Sequence, residues 1–75
     1  MYELIIEKRA LKELVKISDP DYFKIKESIL ALADNPRPNG YIKLKGRNAY
    51  RIRQGNYRII YEIIDAKLLV HIVEL

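Results

Sequence analysis

Asn48-Ala49-Tyr50-Arg51-Ile52-Arg53-Gln54-Gly55-Asn56-Tyr57-Arg58-Ile59-Ile60-Tyr61-Glu62-Ile63-Ile64 alternates apolar with polar or basic side chains, breaks at Gly55-Asn56, and alternates again. Two half-buried strands around a short glycine-containing loop are the pattern of a β-hairpin. A two-residue Gly55-Asn56 loop suits a type II′ turn, which prefers glycine at its first position. That loop sets Arg53 across from Arg58, Ile52 from Ile59, Arg51 from Ile60 and Tyr50 from Tyr61. Directly opposed residues share a face of the sheet. Tyr50, Ile52, Ile59 and Tyr61 then point into a core, and Arg51, Arg53 and Arg58 gather on the other side. Like charges directly opposite each other destabilise a sheet. Three guanidinium groups on one small face therefore point to a polyanionic partner.

The rest of the chain narrows the possibilities. Seventy-five residues suit one small domain, residues 1–75, near the lower size at which a core folds without staples. The absence of cysteine excludes disulfides and thiolate metal sites, and the single histidine excludes a multi-histidine metal centre. No metal or cofactor is expected. The N-terminus starts at once on an alternating segment, with no signal-peptide pattern, and no apolar run approaches the ~20 residues that span a membrane. A cytoplasmic location is the expectation. Net charge is only +4, but between Asn35 and Tyr61 there is no acidic residue, while Arg37, Lys43, Lys45, Arg47, Arg51, Arg53 and Arg58 all lie there. A basic half beside a mixed half suggests one functional face. The competing reading is an ordinary solvated surface.

Tyr2 to Glu7 alternates and reads as a first strand. From Lys8 the spacing becomes helical, with Leu11, Leu14 and Val15 on one stripe. Ser18-Asp19-Pro20-Asp21 breaks this helix and starts another, Asp19 capping and Pro20 at the first helical position. The second helix runs to about Asp34, burying Phe23, Ile25, Ile29, Leu30 and Leu32, and Asn35-Pro36-Arg37-Pro38 ends it. Ile42 and Leu44 alternate with Lys43 and Lys45, a short strand with its lysines on one face. Gly46-Arg47-Asn48 turns into the hairpin. Tyr57 to Ile64 reads as a central strand, Asp65-Ala66-Lys67 as a turn, and Leu68 to Leu75 as the last strand. The expected fold is α+β, in the order βααββββ: an antiparallel twisted sheet with an αα-hairpin packed on one face.

Lys43-Leu44-Lys45-Gly46, Tyr50-Arg51-Ile52-Arg53 and Gly55-Asn56-Tyr57-Arg58-Ile59-Ile60-Tyr61, in that order, resemble the signature of the RelE/ParE toxin superfamily. Arg9-Ala10-Leu11-Lys12-Glu13-Leu14 and the Asn35-Pro36-Arg37-Pro38 bend are similar to it too, so the likeness covers essentially the whole chain. The resemblance implies a small toxin of a type II toxin–antitoxin system, neutralised by a RelB-like antitoxin. For the RelE branch it implies ribosome-dependent mRNA endoribonuclease activity that inhibits translation, with ribosome and mRNA as partners. For the ParE branch it implies inhibition of DNA gyrase without nuclease activity. On the RelE pattern, Arg51, Arg53 and Arg58 match the basic catalytic positions that stabilise RNA at the cleavage point. Lys45 matches a further basic position of that pattern, and Lys43, Lys45 and Arg47 are the expected RNA and phosphate contacts. RelE-type chains usually continue past the last strand into a short tail with an arginine and a tyrosine used in catalysis. This sequence stops at Val73-Glu74-Leu75, before that point.

RNA cleavage through the 2′-OH needs a proton acceptor, positive charge on the phosphorane, and a proton for the leaving 5′ oxygen. Arginine stays protonated and supplies only the second. Arg51, Arg53 and Arg58 therefore read as phosphate clamps, the alternative being surface arginines paired to Glu62 or left to solvent. Lys43 or Lys45 would be a base only with a depressed pKa, and such lysines are more often plain phosphate contacts. His71 would face Ile60 on the arginine side if the Asp65-Ala66 loop holds two residues. A one-residue slip would send it to the core.

Overall fold

The computed structural model describes every residue from Met1 to Leu75. In chain order the elements are β1 (Glu3–Ile6), α1 (Lys8–Leu14), α2 (Asp21–Asp34), β2 (Ile42–Lys43), β3 (Tyr50–Gln54), β4 (Tyr57–Ile64), a 3-10 turn (Asp65–Lys67) and β5 (Leu69–Glu74). The hairpin adopts the expected register, pairing Tyr50 with Tyr61, Arg51 with Ile60, Ile52 with Ile59 and Arg53 with Arg58. Gly55 takes a φ of +61°, while Asn56 keeps a negative φ. That sign pattern belongs to a type II′ turn, whose twist matches the flanking strands.

The five strands lie in the order β1-β5-β4-β3-β2. Strands β2 to β5 form the antiparallel meander, but β1 runs parallel to β5, so the sheet is mixed. The chain leaves β1 through both helices and returns by way of the meander, and only a long crossover of that kind permits parallel pairing. The Glu3 N–H donates to the Leu68 carbonyl at 2.7 Å and the Glu7 N–H to that of Ile72 at 2.8 Å, which closes β1 onto the β5 edge.

Both helices cover one face, with Ala10, Leu14, Ile25, Ile29 and Leu32 meeting Ile52, Ile59, Tyr61, Val70 and Ile72. The buried stripes differ from those expected. On α2 they are Ile25, Ile29, Leu32 and Ala33, whereas Phe23 and Leu30 are exposed. At 100° per residue Phe23 lies roughly 200° from Ile25, so one stripe cannot hold both. On α1 the buried pair is Ala10 and Leu14, while Leu11 and Val15 face out. Two turns of helix crossing β5 present only that i, i+4 pair. Asp19 does not cap α2: Pro20 occupies the cap position with no side-chain hydrogen bond. The Tyr22 N–H instead donates to the Ser18 carbonyl at 3.1 Å, and Asp21 supplies the first-turn negative charge. No helix is long and apolar enough to cross a membrane.

The bend after α2 is fastened to the sheet. The buried Tyr61 hydroxyl donates to the Pro36 carbonyl at 2.6 Å, and burial pushes that phenol up to about 12. Next to it, Arg37 grips Asp65 with two nitrogens at 3.0 and 3.3 Å, and the Tyr2 hydroxyl donates to the same carboxylate at 2.6 Å. Hydrogen bonds from Arg37 and then Tyr2 hold the Asp65 carboxyl below its ordinary 3.8.

Two outcomes test this packing. Ile25→Ala is expected to cost about 2–5 kcal/mol in urea unfolding, whereas Phe23→Ala stays within about 0.5 kcal/mol of the native chain. Because the folded Asp65 titrates below its unfolded value, its contribution is complete above 3.8 and is lost as pH falls through the lower folded value. Urea midpoints of the native chain and Asp65→Asn, taken from neutral pH downward, should differ most at neutral pH and converge in acid.

Candidate functional site

The sheet face away from the helices carries the basic cluster. The type II′ turn sets Arg53 directly across from Arg58, and alternation puts Arg51 on the same side. Arg53 and Arg58 are exposed and Arg51 is half-buried. Ile60 also points to this side, yet it is only 3% exposed. Arg51 lies directly opposite it, and a long aliphatic stem in that position covers an apolar neighbour while keeping its charged head wet. The chain's ion pairs join Arg9 to Glu74, Arg37 to Asp65, and His71 to Glu7 and Glu62. All three hairpin arginines stay outside them. The Arg51 Nε is buried without a hydrogen-bond partner, an arrangement that costs free energy. At the hairpin tip, Arg53, Asn56, Tyr57, Arg58 and Leu75 line an open depression of about 340 Å³.

The other basic residues are distributed differently. Ile42 pairs with Arg51 and Lys43 with Tyr50, so strand alternation puts Lys43 on the opposite face from the arginines. Its ammonium donates to the Arg47 carbonyl at 3.1 Å and braces the turn into β3. Lys45 and Arg47 are exposed in that turn. The fold thus gathers Arg51, Arg53 and Arg58, and sets Lys43 apart from them.

His71 reaches the arginine side by a different register from the one expected. It pairs with Glu62 rather than Ile60, because the connection uses a three-residue 3-10 turn followed by Leu68 at a φ of +50°. A shift of two residues preserves the face. The His71 Nε2 lies 3.2 Å from Glu7 and the Nδ1 3.4 Å from Glu62. Glu62 is therefore turned to His71 and not to Arg51. A neutral imidazole has one N–H, so donating to both carboxylates at once requires the imidazolium. Glu7 is the member of this trio that sequence reasoning missed. It arrives only through the parallel β1–β5 pairing, which leaves no local signal in the sequence.

Chemically, the face offers fixed positive charge with fork-shaped donors, suited to phosphate oxygens. None of the three arginines is a proton acceptor.

Comparison with known proteins identifies the family and the fold. Residues 4–75 match the family model described as ParE toxin of type II toxin–antitoxin system, parDE. The mRNA interferase toxin RelE of Escherichia coli strain K12 is 32% identical over 75 aligned residues, covering 96% of this chain and 78% of the relative. Among solved structures, RelE in the intact E. coli RelBE toxin–antitoxin complex superposes with a TM-score of 0.85 at 30% identity, over 99% of this chain and 93% of the other. A chain of the archaeal RelE–RelB complex from Pyrococcus horikoshii OT3 gives a TM-score of 0.86 at 29% identity, over 97% and 90%.

The Arg53–Arg58 juxtaposition predicts a gain in stability when it is removed. Arg53→Thr should raise Tm by about 1–6 °C at low ionic strength. The gain should shrink in high salt, where screening already weakens the repulsion. Differential scanning calorimetry at two salt concentrations reads both effects.

Proposed function

This chain belongs to the ParE toxin family of type II toxin–antitoxin systems, within the RelE/ParE superfamily, and from that membership we infer that it is an mRNA endoribonuclease whose arginine face grips the RNA at the phosphate to be cut. The observation that carries the reading is the unpaired cluster of Arg51, Arg53 and Arg58. In the reaction the 2′ oxygen bonds to phosphorus, the bond from phosphorus to the 5′ oxygen breaks, and a proton passes from the 2′-OH to the leaving oxygen. Negative charge builds on the phosphorane oxygens. Arg53 and Arg58, brought opposite each other by the hairpin, meet that charge. Arg51 brings an Nε that lacks an acceptor. Lys45 and Arg47, exposed in the turn before β3, extend the positive surface along the RNA backbone.

We assign the arginines to charge and not to the proton transfers. Orientation of the RNA is assigned to the translating ribosome, since positioning alone can supply a large share of such a barrier. The antitoxin is the expected protein partner, acidic where it crosses the arginine face, so that it competes with RNA for the same guanidinium groups.

The test is primer extension on mRNA from a translating extract supplied with the protein. Discrete cuts at ribosome-occupied codons are expected, and Arg58→Ala or Arg53→Ala should lower the cleavage rate about 10²- to 10³-fold. Undiminished cutting by both variants would overturn the assignment of the arginines. Intact mRNA accompanied by trapped gyrase–DNA cleavage complexes would instead support the gyrase inhibition implied for the ParE branch.

A further inference from the structure

The helix-side face of the sheet carries a second feature, near its β2 edge, which the arginine clamp does not use. Tyr61, Tyr50 and Tyr41 form a ladder of rings with successive centroids 5.9 Å apart. Exposure rises along it: Tyr61 is fully buried, Tyr50 half-buried and Tyr41 39% exposed. The sequence explains why the last ring stands at the surface. In Pro38-Asn39-Gly40-Tyr41 the Tyr41 N–H donates to the Pro38 carbonyl at 3.1 Å, and Gly40 takes a φ of +87°. Those are the marks of a type II turn with glycine at its third position. The turn delivers Tyr41 onto the ring of Tyr50.

Cations surround the ladder. Lys43 lies opposite Tyr50, on the same side as Tyr41 two residues before it. The Arg37 guanidinium stands 5.8 Å from the Tyr50 ring centroid, itself fixed by Asp65. Tyr50 is thereby flanked by Tyr41, Tyr61 and Arg37, and Tyr41 is the most exposed of the three rings. An exposed ring, already ordered by a turn and an aromatic neighbour and set beside a lysine, is a platform for a flat partner with a nearby negative charge. A nucleobase followed by its phosphate has that chemistry.

We propose that Tyr41 is a stacking subsite for an unpaired base of single-stranded RNA, with Lys43 beside it for the adjoining phosphate. The inference rests on the nuclease reading above and extends it. β2 is only two residues long, so the arginine face and the tyrosine ladder are separated by the thickness of one short edge strand. A single strand gripped at Arg51 rounds that edge and lays a flanking base on Tyr41. The subsite tolerates any base, because every base has a π-face. It rejects duplex RNA, whose bases are already stacked.

The experiment uses the full chain and a short fluorescent 2′-O-methyl oligoribonucleotide, which cannot be cleaved through the 2′ position, together with an abasic version of the same strand. Binding is followed by anisotropy. Tyr41→Leu keeps an apolar cover over Tyr50 and should weaken binding of the base-bearing strand about 5- to 100-fold, with the abasic strand unaffected. Tyr41→Phe should bind both strands like the native chain, and equal thermal midpoints for the variants exclude a folding defect. Native-like affinity of Tyr41→Leu for the base-bearing strand would overturn the subsite. If Arg53→Ala and Arg58→Ala still weaken both strands in that case, the arginine clamp stands without it. If the arginine variants change neither strand, the clamp reading fails, and loss on Tyr41→Leu still reports stacking independently.

Discussion

The two-residue turn at Gly55-Asn56 sets the parity of the whole sheet. In a strand, neighbouring side chains point to opposite faces, so pairing of the hairpin determines which residues enter the core and which meet solvent. With Gly55 at a φ of +61° the loop closes in two residues, Ile52 meets Ile59, and Arg53 meets Arg58. A register one residue longer would bury arginines under the helices. Hydrophobic burial on one face and charge on the other therefore enforce the same geometry.

That geometry places an unfavourable contact where it can be useful. Two guanidinium groups held opposite each other repel, and Arg51 keeps a buried donor without an acceptor. The domain tolerates this because the opposite face packs Ile52, Ile59, Tyr61, Val70 and Ile72 against both helices. Under the proposed function, an anion bound among the arginines would relieve that repulsion. Glu7, His71 and Glu62 lie on the same side of the sheet, and Glu62 pairs with His71 rather than with Arg51.

Much of this was legible in the residues. The hairpin register, the βααββββ order, the one-sided helix pair and the grouping of Arg51, Arg53 and Arg58 all follow from local periodicity and one turn. Other features were not legible, for physical reasons. Phe23 and Leu30 are as apolar as Ile25, and composition does not say which side of a helix with apolar residues on more than one side turns inward. Lys43 and Lys45 share a side only if the strand continues, but β2 stops at Lys43, and the pairing of Ile42 with Arg51 sends Lys43 to the far face. His71 landed on the expected face by an even shift, since Leu68 adopts a left-handed backbone that its apolar side chain does not advertise.

The sequence by itself determined what is written in short-range alternation: the strands, the hairpin and the charge of its outer face, because strand period and turn chemistry act over a few residues. Tertiary structure decided everything that depends on which distant segments become neighbours. The parallel seating of β1 on β5, the Glu7–His71–Glu62 contact and the Tyr2–Asp65–Arg37 clasp each bring together segments far apart in the chain. Such contacts arise when the whole core packs at once, and no local pattern encodes them.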